Sequence, residues 1–236
     1  MALTVLQIIQ TACKRIGILS PNAAVTATDQ QIIQLVALAE EEGQELATRY
    51  NWQALQTEAS FTTVATQLQT TLASVTTCFD YIVNNTIWNR TQRRPVYGPQ
   101  TQQDWQARQA MNFTGPFSAY RIKGDAIYFD PAPAAGESCY FEYMSRAWVA
   151  KAAGGVSSTW TADGDTPRFG DQLMVLGIIW RWKAAKGLDY SEDFTKYERR
   201  VMDAMTRDGG KPVLSMNGGC DEIAPVVLVP AGSWPV

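Results

Sequence analysis

FGDQLMVLGIIWRWKAAK, residues 169–186, decides the fold class. Leu173, Leu176 and Ile179 fall on one helical face, and Ile178 and Trp182 on the next. So wide an apolar surface predicts a helix buried on more than one side. Gly187 is placed to end it, and Trp180 and Trp182 belong to a helical core. A partner follows at once. Asp189 or Ser191 caps SEDFTKYERRVMDAMTRD, where Phe194, Tyr197, Val201, Ala204, Met205 and Asp208 keep the three-and-four spacing.

The other covering surfaces lie at the opposite end of the chain. From Leu3 to Ile18, Val5, Ile8, Ile9, Ala12, Cys13 and Ile16 form one stripe, weakened at Gly17 and stopped by Ser20-Pro21. Thr28 or Asp29 then caps a helix running to Trp52 that buries Ile32, Val36, Ala39, Gly43, Leu46, Ala47 and Tyr50. These two segments predict a helical hairpin.

Between the helical ends the composition shifts to Thr, Gln, Val, Phe and Tyr. ASFTTV and TTCFDYIV alternate as strands do, and residues 100–110 form a short helix. Three more strands follow at Tyr120 to Lys123, Ala126 to Phe129 and Cys139 to Ser145. Gly124-Asp125 suits a type II′ hairpin turn, and Pro131, Pro133 and Gly136 a second turn, which together predict a meander. The fold class is therefore α+β, an antiparallel helical bundle with a β-rich insertion. Its parts are an N-terminal helical hairpin (1–52), the insertion (53–150), an exposed connection (151–168), a C-terminal helical hairpin (169–208) and an extended C-terminal arm (209–236). The arm is broken by Gly and Pro, yet carries Val226, Val227, Leu228, Val229 and Trp234, too apolar for a solvated linker.

Composition removes many functions. The 236 residues contain no histidine, which excludes Ser-His-Asp and Cys-His nucleophile pairs and histidine zinc sites. Twenty Lys and Arg against 23 Asp and Glu give a net charge of −3, without the basic excess of a DNA-wrapping protein. Cys13, Cys78, Cys139 and Cys220 are widely spaced and read as separate, mostly buried thiols. The N-terminus lacks the basic start of a signal peptide, and no apolar window is long enough for a membrane span, so the expected site of synthesis and residence is the cytosol.

No chemical constellation replaces what is excluded. In the cluster Glu40, Glu41, Glu42 and Glu45, the i, i+4 pair Glu41 and Glu45 shares a helix face that lies opposite the apolar stripe and reads as wet, and TADGDTPRFGD supplies only Asp163, Asp165 and the distant Asp171 toward a calcium loop. Phosphate-loop and nucleophile-elbow patterns are missing, so neither a catalytic site, a cofactor nor a metal is expected. Trp88, Trp105 and Trp160, with Arg93 and Arg94, are instead candidates for an interface with another subunit or a partner protein, because Trp and Arg anchor interfaces.

YRIKGDAIYFDPAPAAGESCYFEYMSRAWV, then DTPRFGDQLMVLGIIWRWKAAKGLDYSEDFTKYERRV, together with the N-terminal helical pair, resembles the head-to-tail adaptor (head completion, or connector) proteins of tailed, particularly short-tailed, bacteriophages over about residues 1–208. The resemblance implies a virion protein of the neck, made in the host cytoplasm. It implies a ring, expected twelve-fold, that binds the portal protein, extends the DNA channel without gripping the DNA, and docks the tail or nozzle protein. It also implies that Val226 to Val229 and Trp234 reach the portal. One such protein is credited with peptidoglycan hydrolysis, but no matching acid pair stands here. The rivals are a tail tube or nozzle component, a cell-wall-degrading virion protein using a pair such as Glu42 with Asp80, and a generic cellular interaction domain.

Overall fold

The computed structural model describes residues 2–209 apart from 113, 114 and 116. In chain order, helices α1 (Val5–Ile16) and α2 (Gln30–Arg49) precede strands β1 (Gln56–Thr62) and β2 (Leu68–Thr71), the single turn α3 (Leu72–Val75), and strands β3 (Phe79–Ile82), β4 (Trp88–Asn89) and β5 (Arg94–Pro95). Helix α4 (Gln102–Met111), the long strands β6 (Ala119–Lys123), β7 (Ala126–Asp130) and β8 (Ser138–Ser145), and the short β9 (Val149–Ala150), β10 (Val156–Ser157) and β11 (Thr166–Pro167) follow. Helices α5 (Asp171–Ala185) and α6 (Ser191–Arg207) close the described chain, and the class is α+β with antiparallel sheets. The expected arm, with Val226 to Val229, Trp234 and Cys220, lies outside the described residues.

The helix ends follow from their caps. Thr4 and Gln7 form a reciprocal capping box at α1, and Gly17 ends it with φ 84°, in the left-handed region where glycine carries no Cβ penalty. Asp29 caps α2 by accepting from the Gln31 N–H. Asp189 accepts from both the N–H and the hydroxyl of Ser191 as the chain turns into α6.

The apolar helix α5 lies against α1, α2 and α6. Helices α1 and α2 touch each other, but each has α5 as its chief neighbour, because α5 offers the widest apolar surface, including Leu173, Met174, Val175, Ile178, Ile179 and Trp182. Close approach needs missing side chains at two places. A Cβ at Gly43 would overlap the Trp148 ring, and one at Gly177 would overlap the Glu42 carboxyl.

Strands β6 and β7 form the expected two-residue hairpin, Lys123 opposite Ala126, with positive φ at Gly124 (61°) as a type II′ turn requires. The expected meander does not continue. Strand β7 has β2 on its other edge, so β8 joins a different sheet, pairing with β1 from Gln56 opposite Met144 to Thr62 opposite Ser138, and with β3 and β4. Alternation explains the choice. Cys139, Phe141 and Tyr143 of β8 share an aromatic core with Ala59 and Phe61 of β1 and with Phe129. One residue later, Met144 enters the helical core, and Trp148 and Val149 follow it there.

The stretch 151–168 is also more ordered by contacts than an exposed connection. It carries a three-stranded sheet, β10-β9-β11, and Trp160 is buried edge-on against Trp148 with ring centroids 4.8 Å apart. Its polar residues satisfy backbone rather than water. Asp163 accepts the N–H groups of Ala24 and Val25, and Asp165, fully buried, accepts those of Ala152, Thr161 and Ala162. The Asp165 carbonyl in turn accepts the Val5 N–H at 2.8 Å, tying the loop to the start of α1.

Candidate functional site

The acidic clusters are the first places where chemistry could reside, and each is committed to structure. The α2 carboxylates converge on one cation: Arg181 of α5 donates to Glu42 through Nε at 2.9 Å, and also to Glu41 and Glu45. Glu41 and Glu45 keep to the exposed face expected of them, whereas Glu42 is wholly buried. The reason is helical phase, since Glu42 lies on the side of α2 shared with Leu35, Ala39 and Leu46. Burial pushes its carboxyl above the ordinary carboxylate range, against the opposing pull of the neighbouring Tyr197 hydroxyl and the Arg181 guanidinium.

The other carboxylates follow the same logic. At Asp165 burial disfavours the charge, but three N–H groups and the Thr161 hydroxyl outweigh it and hold the carboxyl below its usual value. Asp171 accepts the Leu3 N–H at 3.0 Å, Asp80 is paired with Arg146, and Asp193 with Lys183. Glu42 and Asp80 are thus each held by their own arginine, Glu42 under the helices and Asp80 on strand β3. Among the described residues no cluster of His, Cys, Asp and Glu is arranged to hold a metal ion. Cys13 and Cys139 are buried, with burial raising both thiols, while Cys78 is exposed and so departs from the buried-thiol reading.

The aromatic and basic candidates separate into buried and surface groups. Trp160 is 6% and Trp105 8% exposed, so neither presents its ring as a surface; Trp160 was misread because loop composition hides a tertiary contact. Trp88 is half-buried in β4, opposite Pro95, and lines a shallow cavity of about 260 Å³ with Arg90, Tyr140 and Glu58. Arg90 lies 3.6 Å above the Tyr140 ring and pairs with Glu58. Arg93 and Arg94 are exposed beside it, and Arg94 lies over Phe117, 5.8 Å from its centroid. The structure therefore brings Trp88, Arg93 and Arg94 to one edge of the β region and leaves Trp105 and Trp160 elsewhere.

Two surfaces escaped the sequence reading. A groove of about 570 Å³ lies between α1, α5 and α6, floored by Leu3, Val175 and Leu176 and rimmed by Arg15, Lys196, Arg199 and Arg200. At the turn from α5 to α6, Leu188, Tyr190 and Phe194 are 54%, 43% and 39% exposed. The second departs from the sequence pattern at Phe194, which shares the stripe of Tyr197 and Val201 but stays partly exposed at the start of α6, beside Leu188 and Tyr190. The groove offered no signal in the sequence, because its walls come from both ends of the chain.

No helix among the described residues is long and apolar enough to cross a membrane. No curated protein matches the chain. Residues 3–211 match the family model described as SU10 adaptor protein, a span that covers both helical ends, the sheets and the loop between them. With its carboxylates given over to structure and its exposed aromatics at surfaces, this chain belongs to the SU10 adaptor protein family, and is a bacteriophage structural protein.

Proposed function

We propose that the chain is a head-to-tail adaptor of the virion neck: copies form a ring, twelve-fold to match the portal, that binds beneath the portal, extends the DNA channel through which the genome is ejected, and docks the tail or nozzle protein. The family match over residues 3–211 carries this reading. The surfaces are in keeping with it. Leu188, Tyr190 and Phe194 are exposed together at the α5–α6 turn, an apolar patch suited to a repeated contact in an assembly. A net charge of −3 lets a channel wall pass DNA without holding its phosphates.

In this proposal the bundle formed by α1, α2, α5 and α6 is the body of the ring. The edge bearing Trp88, Arg93 and Arg94 faces a neighbouring layer. The segment with Val226, Val227, Leu228, Val229 and Trp234 reaches the portal, with many weak identical contacts adding up around the ring. Mixing the chain with a purified portal ring and weighing the product by mass photometry, with and without residues 211–236, tests both parts. Saturation at twelve copies that is lost on truncation is the expected result. A portal that stays bare with the full chain, while tail protein captures it, would move the tail-component reading ahead.

A further inference from the structure

The groove between α1, α5 and α6 and the corner between α5 and α6 are complementary surfaces of one chain. The groove has an apolar floor and four cations on its walls, with one carboxylate, Asp203, among them. Among the described residues the groove's Arg15, Arg199 and Arg200 form no ion pair, whereas Arg49 and Arg181 of the helical region are matched to carboxylates and the groove's Lys196 is paired with Glu192 of its own chain. The corner has the opposite character. Leu188, Tyr190 and Phe194 project from it, Asp189 and Glu192 flank them, and Trp180 braces it from beneath at 6.2 Å from the Tyr190 ring and 5.2 Å from the Phe194 ring.

We infer that the groove receives the α5–α6 corner of a second copy of this chain, and that this joint is the repeating contact of the ring. The apolar side chains of the corner would cover Val175 and Leu176, and Asp189, with Glu192 exchanging its own chain's Lys196 for a new cation, would meet Arg15, Arg199 and Arg200. A volume of about 570 Å³ accommodates a few large side chains. Since knob and groove are different surfaces, the contact is head-to-tail, the class that closes into rings and cannot end at a two-fold dimer. An apolar floor also distinguishes the occupant from DNA, whose phosphates would use the arginines and leave the floor wet. The inference rests on the ring proposed above and assigns its interface.

Cross-linking tests it. In a chain with Cys78→Ser and Cys220→Ser, the substitutions Leu188→Cys and Arg200→Cys place thiols on the two surfaces, both exposed and so compatible with folding. Oxidation after assembly on the portal is expected to give a ladder of dimers, trimers and higher multimers, with dimer at most for either single cysteine. Rings visible by electron microscopy without a ladder would overturn this interface and leave the ring reading standing. Absence of any ring would remove both. As a second readout, Arg199→Glu with Arg200→Glu is expected to lower ring yield at least tenfold. Undiminished rings in that variant would overturn the inference, and so would undiminished rings with loss only of portal or DNA binding, which would assign the groove to that ligand.

Discussion

The helical region and the β region of this chain are held together by different means. The helices close around a buried ion pair, Arg181 of α5 with Glu42 of α2, to which the more exposed Glu41 and Glu45 also bind, and glycines at 43 and 177 let Trp148 and the Glu42 carboxyl in. The sheets close around rings that meet at steep angles, Phe61 edge-on to Phe129 at 5.8 Å and tilted against Phe141 at 6.1 Å, and keep polar pairs such as Asn89 with Glu137 to the margin of that core. An apolar core loses stability in proportion to what is deleted. A buried ion pair fails abruptly, because one missing partner leaves a charge without water or counter-charge.

The largest expected effect follows from that contrast. Arg181→Met should destabilise the fold by about 3–5 kcal/mol at neutral pH, since it strands Glu42. The loss should grow with pH. Glu42 has a folded value raised above its unfolded one, so its contribution is present below the ordinary Glu value and is lost as pH rises through the folded value. Urea melts at acid and at neutral pH check this, and Glu42→Gln added to Arg181→Met should flatten the pH trend. Phe141→Ala in the sheets should cost about 3–4 kcal/mol by the same measurement, with no such trend.

A smaller change sharpens the comparison at a carboxylate whose folded value is shifted the other way. Asp165→Asn puts a donor where the carboxylate accepted N–H groups, at a cost of about 2 kcal/mol. The folded value of Asp165 is lowered, so its contribution is complete above the ordinary Asp value and is lost as pH falls through the folded one. The variant should therefore differ least from the parent in acid, where Arg181→Met also differs least, but for the opposite reason: Asp165 has lost its contribution there and Glu42 is protonated. The smallest effect is expected at Thr4→Ala, which removes the capping box of α1 for about 1 kcal/mol, read as a shift of the thermal midpoint.

The same contrast explains what was legible in the sequence. Helix signals are local: Gly17, Asp29 and Gly187 lie where the structure places helix boundaries, and the width of the apolar surface on α5 forecast its burial on several sides. The Gly124-Asp125 hairpin was legible for the same reason. Strand partners are not local. Nothing in CYFEYMS says that its neighbours are β1, β3 and β4 rather than β7. The burial of Glu42 was not legible because its phase is intelligible only once Arg181, far along the chain, is beside it, nor was that of Trp160, because Asp163 and Asp165 turn a polar loop into a backbone clamp. The absence of histidine and of catalytic motifs pointed away from enzymes, but the groove, assembled from α1, α5 and α6, required the fold.

The adaptor reading is tested most directly by electron microscopy of a portal ring mixed with the full chain, classified without imposed symmetry. A new layer on one face of the portal, twelve-fold and enclosing an open channel, is the predicted result. A portal with no added layer, or an added density that closes the channel, would contradict it.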